Sequence, residues 1–122
     1  MRRILIVDDE PALREILAAV LADEGYAVQT AADGRSALDM ITTGPPDLVI
    51  TDISMPRLDG WGLLIQIRQD DPTLPVLLIS AIRPTLTERP APATDQTAFL
   101  AKPFDLEDLL DIVTRLIASR QG

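Results

Sequence analysis

Residues 4–9 read Ile4-Leu5-Ile6-Val7-Asp8-Asp9, four apolar residues that stop at two carboxylates. A strand with no polar position has no face to turn toward water, so it belongs in a sheet covered on both sides, which is the habit of parallel sheets. The same pattern recurs three times: Leu48-Val49-Ile50-Thr51 runs into Asp52, Val76-Leu77-Leu78-Ile79 into Ser80, and Phe99-Leu100-Ala101 into Lys102. In an open parallel sheet, ligands bind in the crevice outside the carboxyl ends of the strands. Three carboxylates, a hydroxyl and an ammonium would therefore meet in one small space, and such a site suits a divalent cation and a phosphoryl group.

The segments between these runs carry helix signals. Pro11 stands where a first helical residue is welcome. Leu13, Ile16, Leu17, Val20 and Leu21 follow at helical spacing, and Gly25 supplies a stop. Residues Ala27–Ala31 read as the second strand. Asp33-Gly34 opens a second helix through Ala37, Leu38 and Ile41, closed by Gly44 and Pro45-Pro46. After the Asp47–Thr51 strand, a loop through Met55-Pro56 leads to Asp59-Gly60 and a third helix with Leu63, Leu64 and Ile67. Ala98–Ala101 is the fifth strand, and the last helix places Leu106, Leu109, Leu110, Val113, Leu116 and Ile117 on one face. Its acids come early and its arginines late, as the helix dipole favours. Alternating strands and helices of this kind build an α/β fold, and a chain of 122 residues makes one such domain.

Composition removes other chemistries. The chain has no cysteine and no histidine, so thiolate sites, disulfides and histidine bases or ligands are excluded. If it handles phosphohistidine, that histidine belongs to a partner. A net charge of −8 repels phosphate backbones, so no direct nucleic-acid binding is expected. The apolar run after Met1-Arg2-Arg3 is too short for a signal peptide or a membrane span, so the expected location is the cytoplasm.

Taken singly, each polar residue has an ordinary explanation. Asp8 or Asp9 could cap the helix near Pro11, and Asp52 could be a turn residue. Ser80 could be a loop hydroxyl bonded to local backbone, Lys102 a solvated strand end, and Trp61 a packing residue. Independent caps and turns would not all fall at the same end of successive strands. Together the residues have assignable roles. Asp52 is a carboxylate able to act as nucleophile toward phosphorus. Asp8 and Asp9 crowd negative charge that Mg²⁺ would relieve with a few oxygen ligands. Lys102 brings positive charge to the transferring oxygens, and Ser80 a hydroxyl. An ionised carboxylate needs no general base.

The pieces Ile4–Glu10, Asp47–Asp52, Met55-Pro56 with Asp59-Gly60, Ser80-Ala81 and Lys102-Pro103-Phe104, in this order and spacing, resemble the receiver domain of two-component response regulators over nearly the whole chain. The resemblance implies a flavodoxin-like, doubly wound, five-stranded parallel sheet of order 2-1-3-4-5; a receiver protein is itself a standard example of that order. It implies that Asp52 accepts a phosphoryl group from the phosphohistidine of a sensor histidine kinase or phosphotransfer protein. Mg²⁺ would be held by Asp8, Asp9, Asp52 and the backbone carbonyl of Ser54, directly by Asp9 and through water by Asp8. Lys102 would pair with the phosphoryl group beside a cis peptide to Pro103, and Ser80 and Phe99 would re-orient together as the switch. Residues 1–122 would form one receiver domain, its effector either a separate protein or a missing domain.

The chain departs from the family between Ser80 and Phe99. Pro84, Pro90 and Pro92 fall there, and each proline inside a helix costs about 3 kcal/mol. A disrupted fourth helix is expected, with no regular helix over residues 84–97 beyond a turn near Thr85–Arg89. The family's signalling surface uses that helix with the fifth strand and last helix, so the chain is expected to stay monomeric when phosphorylated. Gly62, where relatives often carry an acid, weakens the start of the third helix. Two other functions fit parts of the pattern. One is a receiver-like interaction module that signals without phosphorylation. The other is an aspartate-dependent phosphohydrolase, against which the Thr51-Asp52-Ile53-Ser54 segment lacks a second acid for the leaving group.

Overall fold

The computed structural model describes residues 2–55, 58–80 and 96–121. The elements are β1 (Arg3–Val7), α1 (Pro11–Asp23), β2 (Ala27–Ala31), α2 (Gly34–Thr43), β3 (Leu48–Asp52), α3 (Gly60–Asp70), β4 (Val76–Ser80), β5 (Thr97–Ala101) and α4 (Leu106–Gln121). They build the expected α/β fold, a five-stranded sheet of order β2-β1-β3-β4-β5 with every pairing parallel. Observed strands differ from the sequence reading by a residue at their ends: β3 includes Asp52, β4 includes Ser80, and β5 begins at Thr97. The expected break in a helix between β4 and β5 falls mostly on residues 81–95, which lie outside the described residues.

Alternation along the strands splits the core in two. Ile4 and Ile6 of β1 join Leu48 and Ile50 of β3 under α1 and α4, with Leu17, Leu21, Leu109 and Val113. Leu5, Val7 and Val49 point the other way, onto Leu63, Leu64 and Ile67 of α3 and Ala37 of α2. All positions of β3 and β4 are buried, which explains why those runs lack polar alternation. The outer β2 is only partly covered, and Gln29 and Thr30 are accordingly polar. Two expected stripe residues stay outside: Ile16 is 54 % exposed and Leu106 45 %. Among the described residues no helix is long and apolar enough to cross a membrane.

Local chemistry sets the helix ends. The Asp33 carboxylate accepts from the Ser36 amide at 2.8 Å and Asp59 accepts from the Gly62 amide at 2.8 Å, which caps α2 and α3. After α1, Gly25 adopts φ 95°, and the Tyr26 and Gly25 amides donate back to the Leu21 and Ala22 carbonyls. That is a Schellman closure, and it requires the left-handed conformation glycine adopts freely. It returns the chain into β2 at the register Arg3↔Ala27.

Candidate functional site

Strand register brings the polar ends level. Val7 pairs with Thr51, so Asp8 and Asp52, each one residue further on, leave neighbouring strands side by side. Asp52 pairs with Ile79 and Ser80 with Ala101, which puts Ser80 at the end of the next strand and Lys102 just past the one after. The ladder runs on beyond the strands: the Ile53 amide donates to the Ile79 carbonyl at 2.9 Å, and the Lys102 amide to the Ser80 carbonyl at 2.8 Å.

Asp52 is 8 % exposed, and each of its carboxylate oxygens has a donor. The Ser54 amide donates to Oδ1 at 3.1 Å, and the Lys102 ammonium to Oδ2 at 3.2 Å. Strands β3 and β5 lie two strand spacings apart, roughly 10 Å, and the four-carbon stem of Lys102 carries its charge across the end of β4. The peptide between Lys102 and Pro103 is cis, in agreement with the family resemblance.

Asp8 is almost fully buried and Asp9 exposed. Asp8 Oδ1 accepts the Glu10 amide at 2.8 Å. The residue flanking α1 is Glu10, which makes no side-chain cap, so neither aspartate caps that helix directly. One carboxylate oxygen from each of Asp8, Asp9 and Asp52 lies within 4.8 Å of the others. Burial raises the Asp8 carboxyl above its ordinary value; the Glu10 amide works against that, Asp52 and Asp9 add repulsion, and Lys102 offsets part of it. An all-oxygen donor set, two of its carboxylates nearly buried and mutually repelling, fits a hard divalent cation. A chain without histidine or cysteine offers a softer metal neither imidazole nor thiolate.

The structure thus gathers Asp8, Asp9, Asp52 and Lys102 directly. Ser80 is 8 % exposed at the same sheet end, Ser54 follows on the loop beyond β3, and Phe99 is half-buried in mid-β5. Three contributors escaped the sequence reading in these roles. The Arg14 guanidinium, one turn into α1, donates to the Asp8 carbonyl at 2.7 Å and holds the first loop against its helix. Gly60 lets the start of α3 rest on the end of β3: a Cβ there would lie 2.5 Å from the Asp52 carbonyl oxygen and 2.7 Å from the Ile53 Cα. Its signal, the Asp59-Gly60 pair, was visible only as a motif. Trp61, read as packing, has its ring centroid 5.3 Å from that of Phe99.

The model of the response regulator receiver domain matches residues 4–114. The response regulator MprA of Mycolicibacterium vanbaalenii is 47 % identical over 110 residues, covering 88 % of this chain and 47 % of that protein. The chain therefore spans about half the length of the curated relatives it matches. Among solved structures, the chemotaxis protein CheY4 of Vibrio cholerae superposes with a TM-score of 0.86 at 32 % identity, over 95 % of this chain and 98 % of that one. The response regulator TrrA of Thermotoga maritima, in complex with Mg²⁺ and beryllofluoride, gives 0.83 at 36 % identity, over 95 % and 99 %.

Proposed function

Because the chain belongs to the response regulator receiver domain family of two-component signalling, we propose that it is a phosphorylatable switch whose acceptor is Asp52. The observation that carries this reading is the Lys102–Asp52 ion pair at 3.2 Å, set against the Asp8 and Asp9 carboxylates at one end of the sheet.

A carboxylate oxygen of Asp52 attacks the phosphorus of a partner's phosphohistidine. The P–O bond forms as the P–N bond breaks, and the imidazole leaves with the partner. No proton has to be removed from the nucleophile. The Ser54 amide on Oδ1 holds the carboxylate plane. Lys102 exchanges its carboxylate contact for the incoming phosphoryl oxygens, and the Ser80 hydroxyl donates to another of them. Asp8, Asp9, Asp52 and the Ser54 carbonyl would hold Mg²⁺, which when bound neutralises charge on the phosphoryl group. The shift of Ser80 and Lys102 toward the phosphoryl group biases Phe99 between two positions, the output of the switch.

The kinase or phosphotransfer partner approaches over the groove beside Lys102, lined by Glu10, Leu13, Ile16, Pro103 and Leu106. Exposed Ile16 and Leu106 give that surface its apolar contacts. Residues 1–122 act as the receiver unit, in the cytoplasm, coupled to an effector domain or effector protein.

Asp52→Ala tests the assignment. Acetyl phosphate with Mg²⁺ is expected to label the native chain, detected as a mass increase, and to leave the variant at background with its fold intact. Equal labelling of both would refute Asp52 as acceptor. An unlabelled native chain would favour an interaction module that signals without phosphorylation.

A further inference from the structure

The acceptor strand and Phe99 are joined through the first turn of α3. Gly60 opens that helix against the Asp52 and Ile53 backbone, and its amide donates to the Ile53 carbonyl at 2.9 Å. The next residue, Trp61, lies against Phe99 with centroids 5.3 Å apart and planes inclined at 51°, a tilted aromatic pair. Phe99 pairs with Leu78 in the sheet, two positions before the Ser80↔Ala101 pair. Both rings are half-buried, so neither is locked inside the core. In this conformer Lys102 bonds the free Asp52 carboxylate, a contact that a phosphoryl group would displace. The ring pair and the Lys102–Asp52 contact occur together in this one conformer.

We propose that Trp61 is a positioning residue for the switch: it is the wall that holds Phe99 in the unphosphorylated position, and it thereby sets how readily Asp52 takes and keeps its phosphoryl group. The proposal rests on the phosphoacceptor reading above. A tilted aromatic pair made in one state and lost in the other shifts a two-state equilibrium by about two- to tenfold. Trp61 is also the single tryptophan of the chain, so tryptophan fluorescence reports the surroundings of this one ring, Phe99 among them.

Beryllofluoride with Mg²⁺, a non-covalent phosphoryl mimic, serves as the probe on the whole chain. Bound beryllofluoride is counted by fluorine NMR, and Mg²⁺ affinity is measured separately without it. Trp61→Leu is expected to bind beryllofluoride two- to tenfold more tightly at unchanged Mg²⁺ affinity, while Trp61→Phe, which keeps a ring, stays closer to the native value. A merely structural role would lower stability without moving one affinity apart from the other. In the native chain, beryllofluoride is expected to change Trp61 emission, and Phe99→Leu to remove most of that change, an arm that does not depend on folding of a Trp61 variant. Native affinity in Trp61→Leu, or a full emission change in Phe99→Leu, overturns the role of Trp61 and leaves the acceptor site standing. No beryllofluoride binding by the native chain overturns both.

Discussion

Asp8 illustrates how a single residue sacrifices stability to the site. Its carboxyl is raised above the ordinary 3.8, chiefly by burial, so the native state binds that proton more tightly than the unfolded chain does. The stabilising contribution of the protonated form is complete below about pH 3.8 and is lost as pH climbs through the raised value. At neutral pH the ionised Asp8 is a net cost in the metal-free protein. Asp8→Asn keeps an oxygen for the Glu10 amide and removes the charge. In chelator it is expected to raise the melting temperature at pH 7, with the gain over the native chain shrinking toward zero below pH 3.8. A variant less stable than native at pH 7 would contradict this account of the cluster. Asp52 shows the limit of reading residues one at a time: alone it could be a turn residue, and the shared strand-end pattern singled it out before its two donors were seen.

At the scale of elements, α3 joins the most distant parts of the sheet. Its start packs on the end of β3 through Gly60, and near its end Arg68 holds the opposite edge. Arg68 donates to the Leu74 carbonyl at 2.6 Å and the Gln96 carbonyl at 3.0 Å, and to the Thr97 hydroxyl at 2.7 Å, tying the entries of β4 and β5 together. Burial lowers its pKa, with Asp71 acting in the other direction, yet a guanidinium remains charged at any working pH. Arg68→Met leaves those acceptors without their donor and is expected to cost about 1–3 kcal/mol in urea unfolding. Arg68→Lys should recover less than half of that, because an ammonium lacks the planar fork that reaches both loops. The glycines of the first turn of α3 separate in the same way. Gly60→Ala drives a Cβ into backbone and is expected to cost about 1–3 kcal/mol while slowing labelling of Asp52. Gly62→Ala meets the Leu58 Cδ1 at 2.7 Å, a methyl that can swing aside, and otherwise the Asp59 Oδ1 at 3.4 Å, while alanine regains up to about 1 kcal/mol of helix propensity. Its melting temperature should stay within a few degrees of native. The weak helix start read from Gly62 is thus offset by the Asp59 cap and by the room it leaves for Leu58.

For the whole molecule, folding is what concentrates charge at one end of the sheet, and a cation should reward the folded state that assembles its site. Millimolar Mg²⁺ is expected to stabilise the native chain by RT ln(1 + [Mg²⁺]/Kd), about 1–3 kcal/mol for concentrations about ten to one hundred times Kd, and so to raise its melting temperature. Asp9→Asn should abolish most of that gain. A melt unmoved by Mg²⁺ would count against the cluster as a metal site. The alternation of strands and helices, the parallel sheet and the helix stops were legible in the chain because apolar runs, capping aspartates and Gly25 act over a few residues, where local sterics and burial pattern decide, while the strand order came from the family resemblance. The polar strand ends were legible for the same reason: each terminates its own run. What the sequence by itself determined is therefore the α/β fold class and which polar residues end its strands. Only the tertiary structure decided that Lys102 reaches Asp52 across β4, that Arg68 binds the Gln96 backbone before β5, and that Trp61 meets Phe99. Those contacts depend on strand register and on how closely a helix approaches the sheet, quantities set by packing between segments up to fifty residues apart, which no local pattern encodes.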